Sequence, residues 1–149
     1  MNESTMLDSK LYAALAYAGA LPFIACAVLP WLGIPTLPLI GDCNYISATY
    51  GVAIASFMAG IHWGTYLYRS GSLPVNLLLT SNVITLGVWF AFLLAPIDIS
   101  LAANFVAFAA LLAIDYKLAA AGLISEGYLT LRRNVSLIVL ASLGLTIIS

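Results

Sequence analysis

Five apolar segments of membrane-spanning length follow one another along the chain, and they constrain its fold more than any other feature. They run over residues 11–33, 45–68, 73–95, 99–118 and 126–149. A helix needs about 20 predominantly apolar residues to cross the hydrocarbon core of a bilayer. Because lipid offers no partners to backbone N–H and C=O groups, such segments must be helical. We therefore expect an all-α integral membrane bundle of five transmembrane helices.

The composition supports a membrane location and leaves room for one domain. Hydrophobic residues make up 63% of the chain and charged residues 7%, with a mean hydropathy of +1.07, whereas soluble domains are roughly half apolar and a quarter charged. Residues 1–9 are expected to form a short cytoplasmic tail, and residues 10–149 the transmembrane domain. The net charge of -1 offers no basic surface, so nucleic acid is excluded as a partner. The lipid bilayer is the expected partner.

The charged residues indicate the orientation of the bundle. All basic residues lie at the N-terminus or in the second and fourth connections, on one side of the spans: Lys10, Arg69, Lys117, Arg132 and Arg133. The connections on the other side carry Asp42 and Asp98. Since cytoplasmic loops are enriched in lysine and arginine, we expect the N-terminus in the cytoplasm and the C-terminus outside. The acidic N-terminal segment does not resemble a mitochondrial transit peptide, which favours a bacterial inner (cytoplasmic) membrane.

Polar side chains are concentrated in the cytoplasmic half of the spans. Because polar groups within lipid must find partners, we expect these side chains to face one another in a vestibule open to the cytoplasm. The candidate pocket residues are His62, Tyr66, Asn76, Thr80, Asp115 and Arg132. The expected partners of Asp115 are His62, Arg132 or Arg69. Two interpretations remain open for Asp115: a structural ion pair, or a group that titrates or binds a ligand. Arg132 and Arg133 are expected to snorkel to the membrane surface.

Small residues on the second span predict close helix packing. Ser56, Gly60 and Gly64 form one stripe along the helix, and Trp63 lies beside it. Stripes of small residues four apart let transmembrane helices approach closely. In the first span, Pro22 removes one backbone hydrogen bond and predicts a kink.

The sequence argues against an enzyme and against a metal or cofactor site. The chain has one histidine and two cysteines, Cys26 and Cys43, with no C-x-x-C pair, so zinc binding and bis-histidine haem ligation are not expected. Ser56 and His62 lie about 240° apart around one helix, which does not suit a serine nucleophile and its base. Paired carboxylates for acid–base catalysis are missing from the spans.

A set of short motifs resembles a known family. The motifs are Tyr50-Gly51, Ser56-Phe57, Gly60, His62-Trp63-Gly64, Gly19-x-x-Pro22-Phe23, Asp115 and Tyr128-x-x-Leu131-Arg132. Together they resemble a family of small five-helix bacterial inner-membrane proteins, a domain of unknown function with a human mitochondrial transmembrane relative. The resemblance covers about residues 10–149. It implies a five-helix bundle in a respiratory type of membrane, with no established activity.

Two classes of function therefore remain open. The first is an accessory or assembly factor that docks onto a larger membrane protein, or onto a second copy of itself, through the stripe of small residues. The second is a protein that handles protons or binds a small polar or quinone-like ligand in the vestibule around His62 and Asp115.

Overall fold

The fold was obtained as a computed structural model, which describes residues 3–69 and 72–149. The helices are α1 (Glu3–Ala18), α2 (Leu21–Val28), α3 (Cys43–Tyr68), α4 (Leu77–Leu94), α5 (Ile97–Ala120) and α6 (Glu126–Ile147). Between α2 and α3 lie a 3-10 turn (Pro30–Leu32) and an antiparallel pair of two-residue strands, β1 (Thr36–Leu37) and β2 (Gly41–Asp42). The predicted all-α class is confirmed.

Four segments are long and apolar enough to cross a membrane, and they imply a lipid bilayer environment. They are Lys10–Val28, Leu77–Leu94, Ile97–Ala120 and Glu126–Ile147. Four of the five predicted spans are thus confirmed at the level of length and composition. The fifth, α3, is outside this set because polar and aromatic residues interrupt its apolar run. Its 26 residues correspond to about 39 Å of helix at 1.5 Å per residue.

The first span is broken in the middle. Helix α1 begins at Glu3, within the segment expected to be a tail, and ends at Ala18, and α2 starts at Leu21 with Pro22 in its first turn. Proline fits a helix start because no backbone N–H is needed there. The Tyr50 hydroxyl of α3 donates a hydrogen bond of 3.1 Å to the Gly19 carbonyl. The predicted kink at Pro22 is therefore a change of helix, stabilised by a side chain from α3.

Helices α3 and α5 form the centre of the bundle. Helix α3 packs against α4 and α5, α5 packs against α6, and α2 lies against α3 and α6. Phe23 of α2 is fully buried, and its ring lies 5.1 Å from that of Tyr50 and 5.6 Å from that of Phe108. Leu111 and Leu143 complete the same core. This core holds α3, α5 and α6 in the positions that form the site.

A tight approach between α3 and α5 occurs at Gly51 and not at the predicted stripe. A β-carbon at Gly51 would lie 2.6 Å from Nδ2 of Asn104, which donates a 3.0 Å hydrogen bond to the Ala48 carbonyl. A β-carbon at Gly60 or Gly64 would meet no heavy atom within 4 Å. Gly60 and Gly64 therefore make no comparably tight contact within the described residues, and their role in packing against another helix stays a prediction.

Candidate functional site

Asp115 connects His62 and Arg132 in the interior of the bundle. His62 Nε2 lies 2.8 Å from Asp115 Oδ1, and Arg132 Nε donates to Asp115 Oδ2 at 2.9 Å. The exposed fractions are 2% for His62, 1% for Asp115 and 8% for Arg132. The expected pairing of Asp115 with His62 and Arg132 is present, while Arg69 instead donates to the Leu123 carbonyl at 2.8 Å. The buried cluster of these three side chains links α3, α5 and α6.

The start of α6 determines where Arg132 points. Ser125 caps the helix by accepting the Tyr128 N–H at 3.2 Å. From this start, Arg132 and Ser136 fall four residues apart on the face that packs inward, whereas Arg133 is exposed. The expectation that both arginines snorkel is wrong for Arg132, because the buried carboxylate of Asp115 offers its guanidinium a partner.

The charges of the cluster nearly compensate one another. The guanidinium of Arg132 is positive, and the carboxylate of Asp115 balances it at hydrogen-bond distance. Because a carboxylate accepts and does not donate, we assign a proton to Nε2 of His62. Its Nδ1 is buried and has no hydrogen-bond partner among residues 10–69 and 72–149. Groups of at least three histidine, cysteine, aspartate or glutamate side chains that could hold a metal ion are absent from the same residues.

The other candidate pocket residues do not join this cluster. Tyr66 is 41% exposed. Asn76 caps α4 by accepting the Leu79 N–H at 3.1 Å, and the Thr80 hydroxyl donates to the Asn76 carbonyl at 3.0 Å. The single polar vestibule predicted for all six residues is therefore not formed. Short polar side chains near a helix start find partners in the adjacent backbone, so Asn76 and Thr80 have no need to turn toward the bundle interior.

The predicted packing residues lie mostly on an outer face. Ser56, Gly60 and Trp63 of α3 line a shallow groove of about 150 Å³ against Asn82 and Thr85 of α4. We call this feature the α3–α4 groove. Among the packing candidates, Pro22 alone lies elsewhere, at the start of α2, while Gly64 follows Gly60 by one turn on the same helix.

An apolar cavity of about 410 Å³ lies between α1, α3 and α6 and reaches Arg132. Its size falls within the roughly 300–1,000 Å³ range of small-molecule sites. Representative wall residues are Tyr12 and Leu15 of α1, Phe57 and Met58 of α3, and Arg132 and Val135 of α6. We call this space the α1–α6 cavity. Arg132 therefore belongs both to the buried cluster and to the lining of the cavity.

The α1–α6 cavity has an apolar rim and an aromatic end. Leu15 and Phe57 are 64% and 68% exposed, so the rim belongs to the surface that faces lipid. At the end where α6 begins, the rings of Tyr12 and Tyr128 lie nearly parallel, 13° apart in plane and 6.5 Å between centroids. The cavity thus extends from an apolar outer surface to one residue of the buried cluster, Arg132.

One family model matches nearly the whole chain. It is described as "Protein of unknown function (DUF3429)" and covers residues 9–148. The chain belongs to the DUF3429 family. The match confirms the resemblance to a family of unknown function, and the DUF3429 region includes the buried cluster and every wall residue of the α1–α6 cavity. No curated protein and no solved structure matches the chain.

The α1–α6 cavity of this DUF3429 domain was missed by the sequence interpretation. Tyr12, Tyr128 and Ser136 line the cavity, but none of them is among the candidate pocket residues predicted from the sequence. Helices α1 and α6 lie at opposite ends of the sequence, so no local pattern brings them together. One signal was available: Tyr128, Arg132 and Ser136 are spaced four residues apart and share one face of α6.

Proposed function

We propose that this protein is a non-enzymatic integral membrane protein that binds a lipid-soluble ligand in the α1–α6 cavity. The observation that carries the proposal is a ligand-sized space of about 410 Å³ with an almost entirely apolar wall, whose lining includes Arg132 and Ser136. Ligand sites typically combine an apolar wall with a few placed polar groups. This develops the ligand-binding class of function, with the site beside the buried cluster and not in a vestibule around His62.

The exposed rim supports entry of the ligand from the bilayer. Leu15 and Phe57 border the cavity and are largely exposed on the lipid-facing surface. A molecule dissolved in the membrane can then reach the cavity between α1 and α3 without crossing the polar ends of the bundle. Arg132 is among the lining residues that lie beyond this apolar approach.

We propose that the chain crosses a bacterial inner membrane five times, and that α3 is a membrane-spanning helix in addition to the four segments named above. The basic residues support a cytoplasmic N-terminus, since Lys10 and Arg133 lie near the starts of the first and last spans and Arg69 and Lys117 near the ends of α3 and α5. A fluorescent reporter on the N-terminus and alkaline phosphatase on the C-terminus test this arrangement. Fluorescence and phosphatase activity should both appear. Termini on the same side of the membrane would show an even number of crossings and refute the proposal.

Ligand binding is tested by filling the α1–α6 cavity. Ala16 lines the cavity, so Ala16→Phe should exclude the ligand. Ala109 is exposed on α5 and outside the cavity wall, so Ala109→Phe is a control with the same change of volume. Native mass spectrometry in mild detergent should show one bound molecule on the wild type and on Ala109→Phe, and none on Ala16→Phe. A wild type without a bound molecule, or equal retention by Ala16→Phe, would contradict the proposal.

A second candidate function, docking onto another membrane protein, is favoured by the α3–α4 groove. The side chain of Asn82 is exposed there beside Ser56 and Gly60, and polar and small residues are typical of contacts between transmembrane helices. Because a β-carbon at Gly60 meets nothing within 4 Å, Gly60→Leu should leave the bundle folded and block only docking. Cross-linking in native membranes should then lose a partner band. An unchanged cross-linking pattern would exclude this surface.

A further inference from the structure

We propose that the tip of the β1–β2 hairpin (residues 36–42) inserts into the lipid surface at the end of the bundle where α3 begins, with Leu39 as the side chain that enters the bilayer. The partner of this surface is the boundary between the lipid headgroups and the acyl chains. The proposal concerns the connection between α2 and α3, and it does not depend on ligand binding in the α1–α6 cavity.

The hairpin turn places a leucine where the backbone favours glycine. The Ile40 N–H donates to the Leu37 carbonyl at 3.3 Å, which closes a turn over residues 37–40 with Pro38 in its second position. Leu39, in the third position, has a φ of 70°. A positive φ directly after the proline is typical of a type II turn, in which glycine or asparagine is usual because a branched or bulky residue is strained there. The turn alone would therefore favour glycine at this position.

The leucine side chain gains no contact within the molecule that would compensate for this strain. Leu39 is fully exposed and Ile40 is 67% exposed, so nothing in the described part of the chain covers the tip. Removing apolar side chains from water is favourable, and a strained backbone persists where surrounding contacts compensate for it. The compensating contact of Leu39 is therefore expected outside the protein.

The lipid-facing surface of α2 leads directly to the hairpin. Exposed apolar residues follow one another every three or four positions through α2 and into the 3-10 turn: Leu21, Ile24, Val28, Trp31 and Leu32. Residues at this spacing lie on one face of a helix, and α2 belongs to a candidate membrane span. Tryptophan is enriched where a span reaches the headgroups. The apolar tip thus continues a surface that already faces lipid, which favours lipid over a protein partner.

The distribution of polar groups allows the tip to enter the membrane while the base of the hairpin stays outside. The tip, residues 37–40, has no polar or charged side chain. At the base, Asp42 is exposed and caps α3 by accepting the Asn44 N–H at 2.8 Å. Irregular backbone is not tolerated within the hydrocarbon core. We therefore expect the hairpin backbone at the level of the headgroups, with its apolar side chains directed into the upper part of the acyl chains.

Spin labelling tests the depth of the tip in vesicles of phosphatidylethanolamine and phosphatidylglycerol. A nitroxide is attached to the full chain at Leu39→Cys and, as a control, at Asp98→Cys. Asp98 is exposed in the first turn of α5 at the same end of the bundle, where the start of α3 meets the end of α4. Cys26 and Cys43 are buried, and wild type treated in parallel measures any label on them. Collisions with oxygen should exceed collisions with a water-soluble nickel chelate at position 39, and the order should be reversed at position 98.

The other outcomes at position 39 overturn the proposal. Frequent collisions with the nickel chelate would place the tip in water. Rare collisions with both reagents would place it against protein, either another membrane protein or a second copy of this chain.

A second label position tests Leu39 itself. The nitroxide is attached at Ile40→Cys, with and without the additional substitution Leu39→Asn. Asparagine tolerates a positive φ, so the turn is kept while the apolar side chain is lost. The ratio of oxygen to nickel collisions at position 40 should then fall toward the value measured at position 98. An unchanged ratio would refute the role of Leu39 in insertion.

Discussion

Replacing Asp115 by asparagine should destabilise the bundle by about 3–5 kcal/mol, the typical cost of breaking one side of a buried ion pair. Asparagine has nearly the same shape, so no cavity forms, and the loss comes from the charge. Arg132 is 8% exposed with its Nε 2.9 Å from the carboxylate, so its positive charge would stay in the bundle without compensation. Because asparagine has one acceptor oxygen in place of two, either His62 or Arg132 would also lose its hydrogen-bond acceptor. At 1.4 kcal/mol per factor of ten, the folding equilibrium should shift by about two to four orders of magnitude.

The measurement is equilibrium unfolding in mixed micelles with increasing dodecyl sulfate, followed by circular dichroism and tryptophan fluorescence. The matched control is the neutral pair Asp115→Leu with Arg132→Met. Because replacing a buried ion pair by apolar residues of similar volume is often neutral or stabilising, this double variant should be more stable than Asp115→Asn. The reasoning is refuted if Asp115→Asn unfolds within about 1 kcal/mol of the wild type, or if the double variant is less stable than the single one.

Three further predictions concern packing away from the buried cluster. Gly51→Ala should cost about 1–3 kcal/mol of stability because its β-carbon would overlap the amide on α5, whereas Gly60→Ala should leave the melting temperature unchanged; equal effects would contradict the described geometry. Tyr50→Phe should cost about 1 kcal/mol in the same unfolding assay, since it removes the hydrogen bond to the carbonyl in the broken first span, and an unaltered midpoint would argue against that bond. Cys26 and Cys43 are free and buried, so maleimide should label both slowly in the folded protein and rapidly after unfolding, while fast labelling of the native state would disprove their burial.

The spans and the buried ion pair were predictable because each follows from a strong requirement. A helix must be long and apolar enough to cross the hydrocarbon core of the bilayer, and this requirement identified four of the spans. An aspartate in a span needs a partner, and His62 and Arg132 were among the few polar groups at the same depth as Asp115. The spans and the partners of Asp115 both follow from residue type and position along the chain, and both can be read directly from the sequence.

The packing face of α3 could not be predicted in the same way. Helical periodicity shows that Gly60 and Gly64 share a face, but it does not show whether that face points inward. The stripe around Gly51 contains equally small residues, and Asn104 of α5 lies against it. Asn76 illustrates a different error, since its position just before a helix marks it as an N-cap and its assignment to the vestibule ignored that local role.

The break in the first span separates the part of the chain that secures the core from the part that borders the ligand space. Phe23, after the break, is fixed among aromatic rings of α3 and α5, while Tyr12 and Leu15, before the break, form one side of the α1–α6 cavity. The link between them is two residues long: its two N–H groups donate to carbonyls of α1, and the Gly19 carbonyl accepts the hydrogen bond from Tyr50. If the proposed ligand enters from the bilayer, a movement of α1 about this link would open the α1–α6 cavity while the core around Phe23 stays packed.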